Sequence, residues 1–268
     1  GFCSNGFRLR LVRDNASLTR PAHIEADLRA IFEEENFADF TALWLLVHAS
    51  RFGQPGALPT DCALERWREA GQKEGVAARD RLRDGVEAAL LSFGNGFLAH
   101  LDNGALRERL HVGELSLINF FSQLLRLVYR LIFLLAAEDR DLLHPPGTGA
   151  ASRKLYAQGY SLAALRDSAV RRAAWDRHHD RWEGLKITFA SLARGEKRLG
   201  LPALEGLFAL GTLPDLENTK LANRSLMEAM YRLAWLKDDA GLVPVNWRDM
   251  ETEELARSTR AYLNSRRS

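Results

Sequence analysis

Hydrophobic residues crowd one stretch of the chain above all others, Leu115–Ala137, LSLINFFSQLLRLVYRLIFLLAA. Leu117, Ile118, Phe120, Phe121, Leu124, Leu125, Leu127, Val128 and the run Leu131–Leu135 leave few polar positions in it. A helix of this length spans roughly 35 Å at about 1.5 Å per residue, which is enough to cross a bilayer. The polar exceptions argue otherwise. Arg126 and Arg130 are four residues apart on one helical stripe, with Ser122 and Gln123 close to it. Two arginines near a bilayer centre would each cost about 2.5–3.5 kcal/mol or more. The pattern therefore predicts a helix buried nearly all round, at the centre of a mainly α multi-helix bundle. One polar stripe is left to reach water or a partner.

Other periodicities fill in the elements around this rod. Phe7–Arg13, FRLRLVR, alternates apolar and basic residues at period two and predicts a strand. The turn signal Ser4-Asn5-Gly6 joins it to an earlier strand at Gly1–Cys3, giving a small N-terminal β-hairpin. Asp14–Arg20 reads as a polar loop, and Pro21 opens a helix carrying Ile24, Leu28, Ile31 and Phe32. A second helix covers Ala38–Ser50 with Phe40, Leu43, Trp44 and Val47 as its core stripe, before the loop Arg51–Pro59. Asp61 can cap a long charged helical stretch that reaches Leu98, in which Gly71, Gly75 and Gly85 predict a break. Gly94-Asn95-Gly96 reads as a helix stop or as a closely packed turn, and Asn103-Gly104 as a turn before a short helix Ala105–Leu110.

Beyond the loop His144–Gly149, helices are predicted at Ala151–Ala157, at Leu162–Ala174 after the start signal Tyr160-Ser161, and at Asp176–Arg194. The last carries Trp182, Leu185, Phe189 and Leu192 as its apolar stripe. Gly200–Pro214 reads as irregular, Asn223 as the cap of a helix Leu226–Leu236, and Val243–Trp247 as a strand fragment.

Composition narrows the class. The 268 residues are 46% hydrophobic and 27% charged, which fits a folded soluble protein and excludes extended disorder. A net charge of +2 leaves no global basic signature, so any nucleic-acid contact must come from a local patch. Cys3 and Cys62 lack both disulfide-framework and metal-site spacing, and read as reduced thiols of a cytoplasmic protein. Residues 1–20 carry four arginines and no apolar block, unlike a signal peptide. The chain opens without Met in what reads as a strand, which suggests a start inside a larger architecture.

No phosphate-binding Gly loop, metalloprotease motif or nucleophile elbow is present. Asp176-Arg177-His178-His179-Asp180-Arg181 is the nearest approach to a metal cluster. Adjacent histidines on a helix diverge and the arginines repel a cation, so it reads as a solvated helical turn. Glu138, Asp139 and Asp141 near His144 sit at the end of the apolar helix, where they oppose its dipole. Arg140, Arg126 or a neighbouring helix would offset Glu138. Ala151–Gly200 holds eleven Lys and Arg against five Asp and Glu, an excess of six. Such a tract can neutralise phosphates or serve as a solvated face. Arg153, Lys154, Arg171, Arg172, Arg177 and Arg181 are the candidates for DNA-backbone contact.

Several stretches taken in order resemble one family. They are the residues 4–11, FADFTALWLLVHASRF, the segment from Asp61 to Leu98, QLLRLVYRLIFLLAAEDRDLL, GYSLAALRDSA, LANRSLMEAMYRLAW and VNWRDM. Together they resemble the large bacterial adenine-specific DNA methyltransferases of the Eco57I-like, type IIG restriction–modification kind. In that family a nuclease-like region precedes a helical spacer, followed by an S-adenosylmethionine-dependent methyltransferase domain and a target-recognition domain. The resemblance covers about Gly1–Leu255 and rests on order and texture. It implies a hairpin remnant of the nuclease-like domain over residues 1–20 and a helical spacer over 21–255.

The departures limit what the chain can do. The family's Asn/Asp-Pro-Pro-Tyr/Phe tetrapeptide is absent, and His144-Pro145-Pro146-Gly147 lacks both amide and aromatic ring. A Gly-rich cofactor loop and the acidic nuclease site are absent as well. S-adenosylmethionine and Mg are therefore expected only with an intact parent, and the chain itself is expected to be non-catalytic. Its expected partners are duplex DNA and the parent's nuclease and methyltransferase regions, with no membrane. A stand-alone helical protein-interaction module is the alternative. After Glu253-Glu254-Leu255 the family continues roughly as GSVYESLLEL, whereas Ala256–Ser265 reads as that string with one base deleted. A frameshifted tail over 256–268 that packs poorly is the expectation.

Overall fold

The computed structural model describes residues 1–13, 23–52, 56, 58, 61–238 and 241–247, with the backbone alone described for 72–79 and 238. The expected loop Asp14–Arg20, the helix start at Pro21 and the tail 256–268 lie outside the described residues. The fold is mainly helical, with a small antiparallel sheet at its N-terminal end. Contacts divide the chain into two units, Gly1–Val76 and Ala77–Ser268.

In the first unit, β1 (Phe2–Ser4) and β2 (Arg8–Val12) form the expected hairpin. Asn5 Oδ1 accepts from the Phe7 and Arg8 amides, and Gly6 adopts φ +86°. A third strand, β3 (His23–Asp27), pairs with β2 in continuous register from Arg8↔Asp27 to Val12↔His23. Ile24 thus lies in a strand rather than in the expected helix. The cross-strand partners explain this, since Glu25 of β3 binds both Arg8 and Arg10 of β2. The Arg10 hydrogen bond, with the two nearby guanidinium charges, holds the Glu25 carboxyl below its ordinary range. Asp27 then caps α1 (Leu28–Glu33) by accepting from Arg29 and Ala30. Asn36 caps α2 (Phe37–Val47). The predicted core stripe of α2 is not buried: the helix has no buried residue, and Trp44 is 56% exposed.

α3 (Ala63–Ala99) runs 37 residues through the three glycines at which a break was predicted. Asp61 accepts from the Leu58 amide upstream rather than capping it. Helix propensity disfavours glycine by about 1 kcal/mol each, but close packing demands it. An ideal Cβ on Gly85 would lie 2.4 Å from the Arg232 carbonyl oxygen, and one on Gly96 2.5 Å from Ser225 Cβ. These glycines admit a neighbouring helix. Gly71, by contrast, faces open space. Gly71→Ala is accordingly expected to stabilise the chain by about 0.5–1 kcal/mol, and Gly85→Ala to destabilise it by about 1–3 kcal/mol. Urea denaturation of the two variants checks the opposite signs.

The second unit carries the core. It continues with α4 (Gly104–His111), α5 (Leu117–Asp139), α6 (Ala150–Gly159), α7 (Leu162–Ala169), α8 (Asp180–Arg194) and α9 (Asn223–Ala234). A hairpin of β4 (Trp235–Asp238) and β5 (Gly241–Pro244) follows. α7 packs on α5 and α9, and α8 on α9. One buried cluster joins Phe93 and Phe97 of α3, Leu127, Leu131 and Leu134 of α5, Trp182 and Leu192 of α8, and Leu226, Met230 and Leu233 of α9. Burying each such side chain contributes about 1.5–3 kcal/mol before entropy is subtracted.

Twelve residues of α5 are buried, Gln123 and Arg130 among them. Burial is not all round, because Leu117, Ile118 and Phe133 are exposed. Among the described residues α5 alone is long and apolar enough to cross a membrane by length and composition, and 61% of its most apolar window is buried. Its polar stripe, expected to reach water or a partner, divides: Ser122 and Arg126 are exposed, whereas Gln123 and Arg130 are buried against the chain itself. Gln123 and Asp215 exchange two hydrogen bonds, Nε2 to Oδ2 at 2.6 Å and backbone N to Oε1 at 3.0 Å. Arg126 donates to the Thr212 carbonyl at 2.6 Å. These polar anchors seat the irregular segment predicted over Gly200–Pro214, whose one regular turn is Gly206–Phe208.

Two asparagines, Asn223 predicted as a cap and Asn103 as part of a turn, bind segments far along the chain. Asn223 does not cap α9; its Oδ1 accepts from the Arg181 amide at the start of α8, and its Nδ2 donates to Asp176 and Asp180. That hydrogen bond holds the Asp180 carboxyl below its ordinary range. Asn103, 3% exposed, likewise binds the backbone of Phe97 and Lys220. α9 ends at Ala234, short of the predicted Leu236, because Trp235 turns extended to pair with Pro244 and donates from Nε1 to the Arg166 carbonyl.

Candidate functional site

The six cationic candidates occupy three elements. Arg153 and Lys154 lie on α6, and Arg171 and Arg172 in the turn after α7. Arg177 precedes α8 and Arg181 stands in its first turn. Ser161 caps α7 through the Ala163 and Ala164 amides, as its sequence signal predicts. α8 is shorter than predicted and begins at Asp180, so Arg177, His178 and His179 belong to the connection. Asp176 Oδ1 braces that connection by accepting from the His178 amide and from Asn223 Nδ2.

Neutralisation separates the candidates. Arg153 pairs with Asp141 at 2.7 Å. Among the described residues Lys154, Arg171, Arg172, Arg177 and Arg181 have no ion-pair partner. Lys154, Arg171, Arg172 and Arg177 are exposed and Arg181 is half-buried. The Arg172 guanidinium lies over the Trp175 ring, 4.2 Å from its centroid, which orders it for contact. Arg166 and Lys186, counted in the same basic tract, are engaged internally with Asp139 and Asp167 and with Glu183.

One cation joins this group that sequence reasoning did not single out. Arg224, exposed in the first turn of α9, donates its amide to the Asp176 carbonyl at 2.9 Å and so stands beside the α7–α8 connection. No local signal links it to Arg177, since only the packing of α9 brings the two segments together. The geometry provides exposed, unneutralised guanidinium groups on short connections anchored at both ends. That arrangement can contact phosphates, but it presents no element to a base edge.

The other chemical candidates resolve into supporting structure. Among the described residues no group of three or more His, Cys, Asp and Glu could hold a metal ion. His179 packs edge-on against His100, and burial lowers the His100 pKa below its ordinary value. Glu138 is offset by a neighbouring helix, one of the alternatives read from sequence. Its carboxylate accepts from the α7 amides of Leu162 and Ala163, both at 2.8 Å, from Ser161 Oγ at 2.8 Å and from Tyr156 Oη at 2.6 Å. Burial first, and then the Glu138 charge, push the Tyr156 phenol above its ordinary range. A carboxylate holding four donors anchors structure.

The first unit presents a different surface. Among the described residues of Gly1–Val76 the buried hydrophobics are Ile31 and Ala63. Phe7, Phe32, Phe37, Trp44 and Leu58 are exposed, Phe37 by 77%. A groove of about 520 Å³ is lined by Leu11, Val12, Ile24, Phe52, Leu64 and Trp67. Arg13 donates to Glu65 at 2.6 Å along it, and this bond holds the Glu65 carboxyl below its ordinary range. Large exposed apolar patches are a general feature of interaction surfaces. No protein-family model, curated protein or solved structure matches the chain.

Proposed function

We propose that the chain is a non-catalytic helical spacer of a bacterial DNA adenine methyltransferase of the restriction–modification kind. In this reading α5 is the central rod of the helical bundle, and the spacer holds nuclease and methyltransferase regions at a set separation. The uncovered face of Gly1–Val76 receives a neighbouring domain of the parent. The α7–α8 connection lies along the DNA backbone. S-adenosylmethionine and Mg belong to the parent's other regions. Two unbridged cysteines, Cys3 exposed and Cys62 half-buried, support a cytoplasmic setting.

The observation that carries this reading is the near absence of a core in Gly1–Val76, where only Ile31 and Ala63 are buried hydrophobics among the described residues. A sheet and two helices that leave their aromatic residues in water are stable only when something covers them. The order of sequence stretches indicates what that is.

Fluorescence anisotropy with a duplex oligonucleotide tests the DNA contact. Affinity is expected to fall steeply with salt, and Arg171→Ala, Arg172→Ala and Arg177→Ala each to reduce the slope of log K against log salt by about 0.9. Undetectable or salt-independent binding overturns it. The same apolar face supports a second reading, a stand-alone helical interaction module. A sharp dimer on gel filtration, joined through Phe37 and Trp44, favours the module, whereas a monomer that binds duplex favours the spacer.

A further inference from the structure

Arg130 of α5 is 1% exposed, yet one of its donors is unused. Nε donates to the Leu207 carbonyl at 2.9 Å, and Nη2 to Thr212 Oγ1 at 2.6 Å. The guanidinium is held between two rings, 4.9 Å from the Phe189 centroid and 5.5 Å from that of Phe208. Nη1 is buried and has no hydrogen-bond partner. Its nearest carboxylate oxygen, Glu217 Oε1, stands 3.8 Å away, too far for a hydrogen bond.

Arg130 also lines a cavity of about 400 Å³ with Glu217, Arg194, Phe208, Ile187 and Leu210. Lys186 at the same cavity is held by Glu183 at 2.9 Å. Arg194 is exposed and has no ion-pair partner among the described residues. The Glu217 carboxylate is one-third exposed and accepts no hydrogen bond among the described residues, so it can turn outward. A buried, ring-clamped guanidinium with a spare donor, a free cation at the mouth and apolar walls is a receptor for an anion.

We propose that this cavity binds a small organic anion, a single carboxylate or phosphate on a compact apolar body, with Arg130 Nη1 as the buried donor. Arg194 meets the anion at the mouth, and Phe208, Ile187 and Leu210 cover the apolar body. Glu217 swings out to admit it. The site lies apart from the cationic candidates for DNA contact, so its fate and that of the spacer reading are independent.

Isothermal titration with benzoate and with phenyl phosphate, at ionic strength matched with sodium chloride, tests the site. Saturable binding of at least one of the two at one site per chain is expected. Arg130 also braces a loop, so the diagnostic variants are at exposed positions. Leu210→Trp, which fills the cavity, is expected to weaken binding about tenfold or more, and Arg194→Gln about threefold to tenfold. Both are expected to melt as the parent chain does. No saturable binding of either probe overturns the proposal, as does equal binding by Leu210→Trp. Displacement of bound benzoate by a duplex oligonucleotide would move the site to the DNA contact and overturn the small-ligand assignment. The preferred probe distinguishes carboxylate from phosphate.

Discussion

Trp182→Ala is expected to remove about 3–5 kcal/mol of stability, among the largest losses of any single truncation in the chain. Trp182 is fully buried on α8. Its ring meets Phe97 of α3 edge-on at 5.3 Å, and its Nε1 donates to the Thr219 carbonyl at 2.9 Å. One side chain thus joins two helices to the segment before α9. Truncation leaves a cavity and a buried carbonyl without its donor, and the two losses combine. Trp182→Phe keeps one packed ring, loses the donor and leaves a smaller cavity, at about 1–3 kcal/mol. Urea denaturation followed by far-UV circular dichroism measures both. A loss below about 1 kcal/mol for the alanine variant contradicts the packing described for α8.

Glu138→Ala is expected to cost about 2–4 kcal/mol, because one carboxylate serves four donors. Removing it strands the hydroxyl of Tyr156, which is 3% exposed, together with the Leu162 amide at the start of α7, while the Ala163 amide keeps Ser161 Oγ. It also removes a negative charge from the positive end of that helix. Glu138→Gln keeps one acceptor oxygen and is expected to lose about half as much. Tyr156→Phe alone takes away one donor of the four and costs about 1 kcal/mol. Because the groups form one network, Glu138→Ala and Tyr156→Phe together are expected to fall short of the sum of the single losses by at least about 0.5 kcal/mol. Simple additivity in thermal or urea melts would mean that the hydroxyl and the carboxylate act separately.

Part of this molecule is legible without coordinates. The alternation in Arg8–Val12 marks a strand, and Ser161 marks the start of α7. The stripe Trp182, Leu185, Phe189 and Leu192 marks the buried face of α8, and the run from Leu117 marks α5. Each signal acts over four residues or fewer, the range of a helical turn or a strand repeat, so it survives in a one-dimensional reading. The candidate cations were legible as residue types and a local charge excess. Their division into neutralised Arg153 and unpaired Arg172 and Arg177 was not.

What only the tertiary structure decided are the roles set by distant partners. Ile24 has helical spacing from Leu28 and Ile31, yet Glu25 finds Arg8 and Arg10 and draws the segment into a sheet. Gly85 weakens a helix locally, yet α3 continues through it because the Arg232 carbonyl needs the space. Asn223 carries a cap signal and Asn103 a turn signal, yet Asn223 binds the start of α8 and Asn103 the backbone before α9. Gln123 and Arg130 read as a stripe turned toward water or a partner, and are instead buried against the segment from Leu207 to Asp215. The physical reason is common to all of these. A polar group or a glycine specifies that a partner or a space is required, and chain separation hides which one until the backbone closes the distance. The local pattern therefore marked most of the helices and the first hairpin, and long-range packing determined that residues 23–27 and 235–238 are strands and which polar groups are consumed by the core.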